Sequence, residues 1–218
     1  MTTPLSRVAR ALEQFHATHP WDHNARYHRW ILRQLPRRVE SALDVGSGSG
    51  DLARLLASRA GAVHGIDVDP AIVARARELT APAAPVTFFV GDVREQVPPG
   101  PYDVITCVAT LHHMHFGDAL TRLRQHLAPG GTLVVVGLYR PRSRSDLLID
   151  AVAIPSNVAM GWIKNKGRKA PRPVSMTAQT RPAAMTFADI VRDARQALPG
   201  ARLRRRLFWR YTLVWHRR

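Results

Sequence analysis

SALDVGSGSGDLARLLA, residues 41–57, is the stretch from which the rest of the chain is read. The short apolar run SALDV passes straight into glycines at 46, 48 and 50, and a run with helical spacing opens at Asp51. Strand, glycine turn and helix in that order give a backbone that bends tightly, lets a ligand come close, and offers it the free N–H groups of a helix start. A nucleotide-like cofactor is implied. The spacing is G-x-G-x-G, not the dinucleotide G-x-G-x-x-G, and Asp44 stands two residues before the first glycine. An acid there can receive the amino group of an amino-acid-bearing cofactor, directly or through water, whereas it would repel a pyrophosphate.

Outward from that turn, apolar runs and helical runs alternate. AVHGID (62–67), VTFFV (86–90), YDVITCV (102–108) and GTLVVVGL (131–138) read as strands. PAIVARAREL (70–79) and GDALTRLRQHL (117–127) read as helices, the first capped by Asp69 with Pro70 at its first position. Pro129-Gly130-Gly131 reads as a turn. This alternation predicts an α/β, Rossmann-like doubly wound sheet, mostly parallel, whose ligands sit outside the carboxyl ends of the strands. Two more acids fall at that edge. Asp67 ends the second strand about twenty residues past the glycine turn, where a carboxylate can accept both ribose hydroxyls. Asp92, in FFVGDV, lies just past the third strand, where it can accept from the exocyclic amine of an adenine.

Five segments together, LDVGSGSGDLARLLA, VHGIDVDPAIVARA, FFVGDV, YDVITCVATLHHM and LRQHLAPGGTLVVVGLY, resemble the successive motifs of class I S-adenosylmethionine-dependent methyltransferases. Within that family the likeness is to the small-molecule branch that includes ubiquinone/menaquinone-type enzymes, and it spans roughly residues 40–140. The resemblance implies S-adenosylmethionine as cofactor and S-adenosylhomocysteine as product. It places Asp44, Gly46, Ser47 and Gly48 around the methionine portion, Asp67 with Val68 at the ribose, Asp92 with Val93 at the adenine, and Val108 under the methionine. It also implies a seven-stranded sheet closed by a C-terminal antiparallel β-hairpin, and an N-terminal lid in which Tyr27 or His28 touches the cofactor's methionine end.

The flanks fit one domain, 1–218, divided into a helical lid (1–39), a cofactor-binding core (40–140), a helical and loop insert (141–185), and a final helix with hairpin (186–218). LSRVARALEQF (5–15) and NARYHRWILRQL (24–35) carry helical spacing, with Asn24 as N-cap of the second. RSDLLIDAVAIPSNVAMGWI (144–163) reads as a helix interrupted near Pro155, and NKGRKAPRPVSMTAQTRPAA (165–184) as a loop. Thr186 and Asp189 are spaced as a capping box before FADIVRDARQAL. ARLRRRLF and YTLVWHRR read as two strands joined at Trp209-Arg210.

Methyl transfer from a sulfonium requires alignment of donor and acceptor and exclusion of water; a base is needed only where the acceptor must lose a proton. The candidates for that base are His113, His112 and His28, with His115, His16, His19 and His23 near them in sequence. The histidine pairs lack a carboxylate cluster, so no metal is expected. The single Cys107 lies inside an apolar strand, which excludes an internal disulfide and makes it core. It also fits a reducing cytoplasm, as does an N-terminus without a secretory signal.

The formal charge is +16, and it is uneven: residues 1–140 hold 15 Lys+Arg against 12 Asp+Glu, residues 141–218 hold 17 against 4. A small-molecule acceptor at O, N or C leads the functional readings. RNA is the alternative suggested by the basic last third and by RRRLFWRY. A membrane-proximal lipid or quinone enzyme is suggested by LLIDAVAIPSNVAMGWI ahead of KNKGRK, and a cofactor-binding protein without catalysis is the fourth.

Overall fold

The computed structural model describes residues 12, 14–177 and 181–218. Its strands are β1 (Val39–Val45), β2 (Ala60–Asp67), β3 (Val86–Val90), β4 (Tyr102–Val108), β5 (Leu127–Leu138), β6 (Arg202–Arg206) and β7 (Arg210–His216). They form one sheet in the order β3-β2-β1-β4-β5-β7-β6. The first five are parallel, β7 runs antiparallel to β5, and β6 antiparallel to β7.

Both faces of the central strands are covered, which is why β4 and β5 are apolar almost throughout. Side chains of a strand alternate between faces, and the core divides accordingly. Leu43, Val45, Ile105, Cys107, Leu133 and Val135 face α4 (Phe116–His126) and α6 (Phe187–Ala197), meeting Leu120, Leu123, Ile190 and Ala194. Ala42, Val104, Val134 and Val136 face the other way, onto α1 (His28–Gln34), α2 (Asp51–Leu56) and α3 (Pro70–Glu78), through Ile31, Leu52, Leu56, Val73 and Ala76.

The remaining helix, α5 (Arg144–Lys164), packs on the N-terminal segment. Trp21 Nε1 donates to Asn157 Oδ1 at 2.7 Å, Asn165 Nδ2 donates to the Pro20 carbonyl at 2.9 Å, and Trp21, Ala153 and Phe208 form a small third core. Residues 12–39 are thereby held against both the insert and the terminal hairpin.

Several boundaries differ from the expectation. Most of the helix expected over 5–15 lies outside the described residues, and 14–18 are helical. Asn24 makes no side-chain cap; Asp22 Oδ1 accepts from the N–H groups of Asn24 and Ala25 instead, leaving the Asn24 amide for a longer-range bond. Pro155 does not interrupt α5, because the Ser143/Asp146 capping box and the packing against Trp21 outweigh the one hydrogen bond that a proline removes. Pro129-Gly130-Gly131 lies inside the span of β5, as a bulge where Leu127 pairs with Tyr102 and Thr132 with Val104.

The hairpin turns one residue earlier than its sequence suggests, at Leu207-Phe208-Trp209, with Phe208 and Trp209 at φ 62° and 56°. A left-handed backbone is strained for aromatic residues. Phe208 is held there by its edge-on contacts with Trp21 and His23.

Gly137 of β5 pairs with Tyr211, and a Cβ there would stand 2.3 Å from the ring. Gly137→Ala is expected to destabilise the fold by about 1–3 kcal/mol through overpacking. Urea denaturation checks this: the midpoint falls while the slope stays the same.

Candidate active site

The sheet carries Asp44 to the carboxyl end of β1, where its side chain is only 2% exposed. Thr106, its neighbour on β4, donates Oγ1 to Asp44 Oδ1 at 2.7 Å. Burial drives the Asp44 pKa up to about 7; the nearby Asp67 charge adds to the rise, and the Thr106 bond opposes it. A carboxyl group that shares its proton near neutrality is ready to take up a cation.

The glycine turn follows directly. Gly46 sits at φ 70° so close to Thr110 that a Cβ would meet its Oγ1 at 1.9 Å, whereas a Cβ at Gly48, φ 50°, would meet nothing within 4 Å. The first glycine is therefore demanded by packing, and the second opens onto free space. Asp67 braces the turn from β2: Oδ2 accepts from Gly48 N at 2.9 Å and Oδ1 from Asp69 N at 3.1 Å. Asp69 caps α3 as expected, accepting from Ala71 N and Ile72 N. Ser47 Oγ is buried without a hydrogen-bond partner among the described residues. Asp92 is held by Arg94, whose Nε lies 3.0 and 2.8 Å from its two oxygens, and this bond keeps the carboxyl below its usual pKa.

These groups open into one cavity of about 840 Å³. Asp44, Gly46, Ser47, Gly48, Asp67, Val68, Asp92, Val93 and Val108 all line it, and so do His28, His112 and His113. Tyr27 does not line it. The turn Ala25–Tyr27 leads into α1 so that Tyr27 points into the core beside Ile31, its ring perpendicular to Trp30, and His28 takes the place at the cavity wall. His16 bonds Asn157, His19 stacks on Phe15, and His115 is exposed at the start of α4, so none of the three reaches the cavity.

The histidines that do reach it are poor proton binders. Burial takes His112 down to a pKa of about 4, helped first by the neighbouring His113 and then by the charges of Arg210 and Arg181, and takes His23 down to about 3, with Arg210 the next cause. His113 and His28 are lowered in the same direction, again first by burial. All four are neutral at pH 7. Nδ1 of His23 and Nδ1 of His112 are buried without a partner among the described residues.

Arg210 is the wall residue that the sequence reading missed. It opens β7 opposite Leu138 and is 9% exposed, yet it borders the cavity. Its neighbours in RRRLFWRY gave it the look of a surface cation. In fact Phe208 and Tyr211 are buried at 1% exposure, Arg205 pairs with Asp146 at 3.0 Å, and Arg206 lies over the Trp30 ring. The stretch packs inward and offers neither Phe208 nor Tyr211 as a platform for bases.

A doubly wound sheet with an acid-flanked glycine turn and further acids on the next two strands defines an enzyme fold built around an adenosyl cofactor. Residues 42–131 match the model of a methyltransferase domain. The chain is 32% identical over 202 residues to an uncharacterized methyltransferase of Mycobacterium tuberculosis, covering 90% of this chain and 96% of that one. It is 29% identical over 167 residues to a ubiquinone biosynthesis O-methyltransferase of Pseudomonas paraeruginosa, covering 74% and 71%. Among solved structures, the N-methyltransferase NodS from Bradyrhizobium japonicum in complex with S-adenosyl-L-homocysteine superposes with a TM-score of 0.59 at 18% identity, over 95% of this chain and 97% of that one. The chain belongs to the class I S-adenosylmethionine-dependent methyltransferases.

The raised pKa of Asp44 has a sign that can be tested. The folded value, about 7, exceeds the ordinary carboxylate value, so the folded state binds the proton more tightly and loses stability as pH rises from about 4 to 7. Asp44→Asn removes that penalty. The variant should be more stable than wild type by about 1–3 kcal/mol at pH 8. Thermal and chemical unfolding at pH 4, 6 and 8 check whether this gain shrinks toward acid.

Proposed function

We propose that this protein transfers a methyl group from S-adenosylmethionine to an O, N or C atom of a small molecule held in the cavity. The observation that supports the reading most is the gathering of Asp44, Asp67 and Asp92 with His28, His112 and His113 around one enclosure. The residues fit the cofactor: the free space over Gly48, the unpaired Ser47 hydroxyl and the proton-sharing Asp44 are suited to an amino-acid end.

In this reading Asp44, Gly46, Ser47 and Gly48 hold the methionine portion, over Val108. Asp67 and Val68 hold the ribose, exchanging the Gly48 bond for hydroxyl donors. Asp92 and Val93 hold the adenine. The cofactor supplies an activated methyl on a sulfonium; the chain's own work is to orient the acceptor and keep out water. His112 and His113 stand at the end of β4, neutral, and are placed to take a proton from an acceptor hydroxyl or amine. The low pKa of His112 suits an acceptor that is itself acidic, or one that needs no base.

The inward packing of RRRLFWRY does not favour RNA. No helix of the described residues is long and apolar enough to cross a membrane. The acceptor's being a small molecule is supported by the cavity, which lies within the range usual for such ligands, roughly 300–1,000 Å³. A cytoplasmic location is supported by the single cysteine of the chain, the buried Cys107.

Calorimetric titration with S-adenosylmethionine and S-adenosylhomocysteine tests the reading. Wild type should bind with micromolar affinity, Asp67→Ala should lose at least about tenfold, and His112→Ala should keep it. Absence of binding to folded wild type contradicts the reading.

A further inference from the structure

The guanidinium of Arg210 is solvated almost entirely by neutral groups. Nη1 donates to the Phe208 carbonyl at 2.9 Å, and Nη2 and Nε donate to Asn24 Oδ1 at 2.9 and 3.3 Å. That commits three of the five N–H groups that an arginine carries. No Asp or Glu lies within ion-pair distance among the described residues. Asp22 is the acid whose field reaches it, and Asp22 Oδ1 is taken by the backbone of Asn24 and Ala25. A buried charge without a counterion is costly, and here it borders a cavity.

The surroundings have the same character. Arg181, from the loop after α5, lines the cavity and acts with Arg210 on His112, and Nδ1 of His23 and Nδ1 of His112 are buried without partners among the described residues. The cofactor-side acids lie elsewhere, at the ends of β1 and β2 and just past β3. β7 is three strands from β1, about 14 Å at the usual strand spacing, which sets Arg210 beyond the glycine turn. The cavity therefore carries acids at the ends of β1 and β2 and just past β3, while at the β7 end Arg210 lines it with one nearby acid, Asp22, whose Oδ1 is already taken by backbone N–H groups.

Resting on the methyl-transfer reading above, we infer that the acceptor carries a carboxylate and that Arg210 binds it. A carboxylate presents two oxygens to the two uncommitted N–H groups and supplies the missing counterion. Arg210 is thereby the residue that selects acidic acceptors, with Arg181 as a second, exposed cation at the rim.

The test is made on wild type saturated with S-adenosylhomocysteine, so that a failure of cofactor binding is seen first and separately. Acetate, succinate, benzoate and phenylacetate are compared with their amides at equal millimolar concentration, with inorganic phosphate as a further arm. Carboxylates should raise the unfolding temperature of the loaded protein where the amides do not. Arg210→Lys, which keeps the charge and loses the planar fork, should weaken the best carboxylate at least about tenfold in calorimetry and leave homocysteine-product affinity unchanged. Arg181→Gln, at the rim, should weaken it less. Equal effects of carboxylates and amides on wild type overturn the inference without any variant. So does a larger effect of phosphate than of every carboxylate. Loss of S-adenosylhomocysteine affinity in a folded Arg210→Lys overturns it as well, because the anion met by Arg210 is then the cofactor's own carboxylate.

Discussion

Because the chain order of the sheet reverses between β1 and β4, the connections leaving their carboxyl ends run to opposite faces and leave a crevice between them. The cavity lined by Asp44, Asp67 and Asp92 opens at that gap. The glycine turn after β1 borders it from one side, and the Leu111–His113 turn after β4 borders it from the other. Thr106 and Asp44, paired across the two strands, sit at its floor. The N-terminal segment and the insert close over it, and they are fastened to each other through Trp21 and Asn157.

The crevice is built at the expense of stability. Among the described residues, Asp44 is buried with one hydroxyl donor as its hydrogen-bond partner, Arg210 is buried without an acid in ion-pair contact, and two imidazole nitrogens are buried without partners. Each is unfavourable in the free protein, and under the proposed function two of them meet a partner: a ligand ammonium at Asp44 and a ligand anion at Arg210. Departures from full satisfaction of buried polar groups concentrate where ligands bind, and here they mark two ends of one cavity.

The core was legible because its periods are strong. The runs at 102–108 and 131–138 are apolar on both faces, as buried parallel strands must be, those at 41–45, 62–67 and 86–90 are short apolar runs between turn signals, and the acids at 44, 67 and 92 fall at one edge by topology alone. Features set by long-range packing were not legible. Phe208 and Trp209 are not turn residues, and long-range contacts hold the turn there, those of Phe208 with Trp21 and His23 among them. Tyr27 and His28 are neighbours in sequence, and which of them faces the cavity depends on how a short turn joins α1. Arg210 reads as one more arginine in a basic stretch; its burial follows from pairing with Leu138 and from an amide 186 residues away.

Under the proposed function one crevice, at the ends of β1, β2 and β3, holds S-adenosylmethionine. Nitrogen-15 NMR of the labelled protein, titrated with S-adenosylhomocysteine, tests it at the level of single amides. The largest shifts are expected at Gly46–Gly50, at Asp67–Asp69 and at Asp92–Val93, with the Gly48 amide moving most as Asp67 exchanges its bond. Shifts concentrated along β6 or on α5, with these amides unmoved, would contradict it.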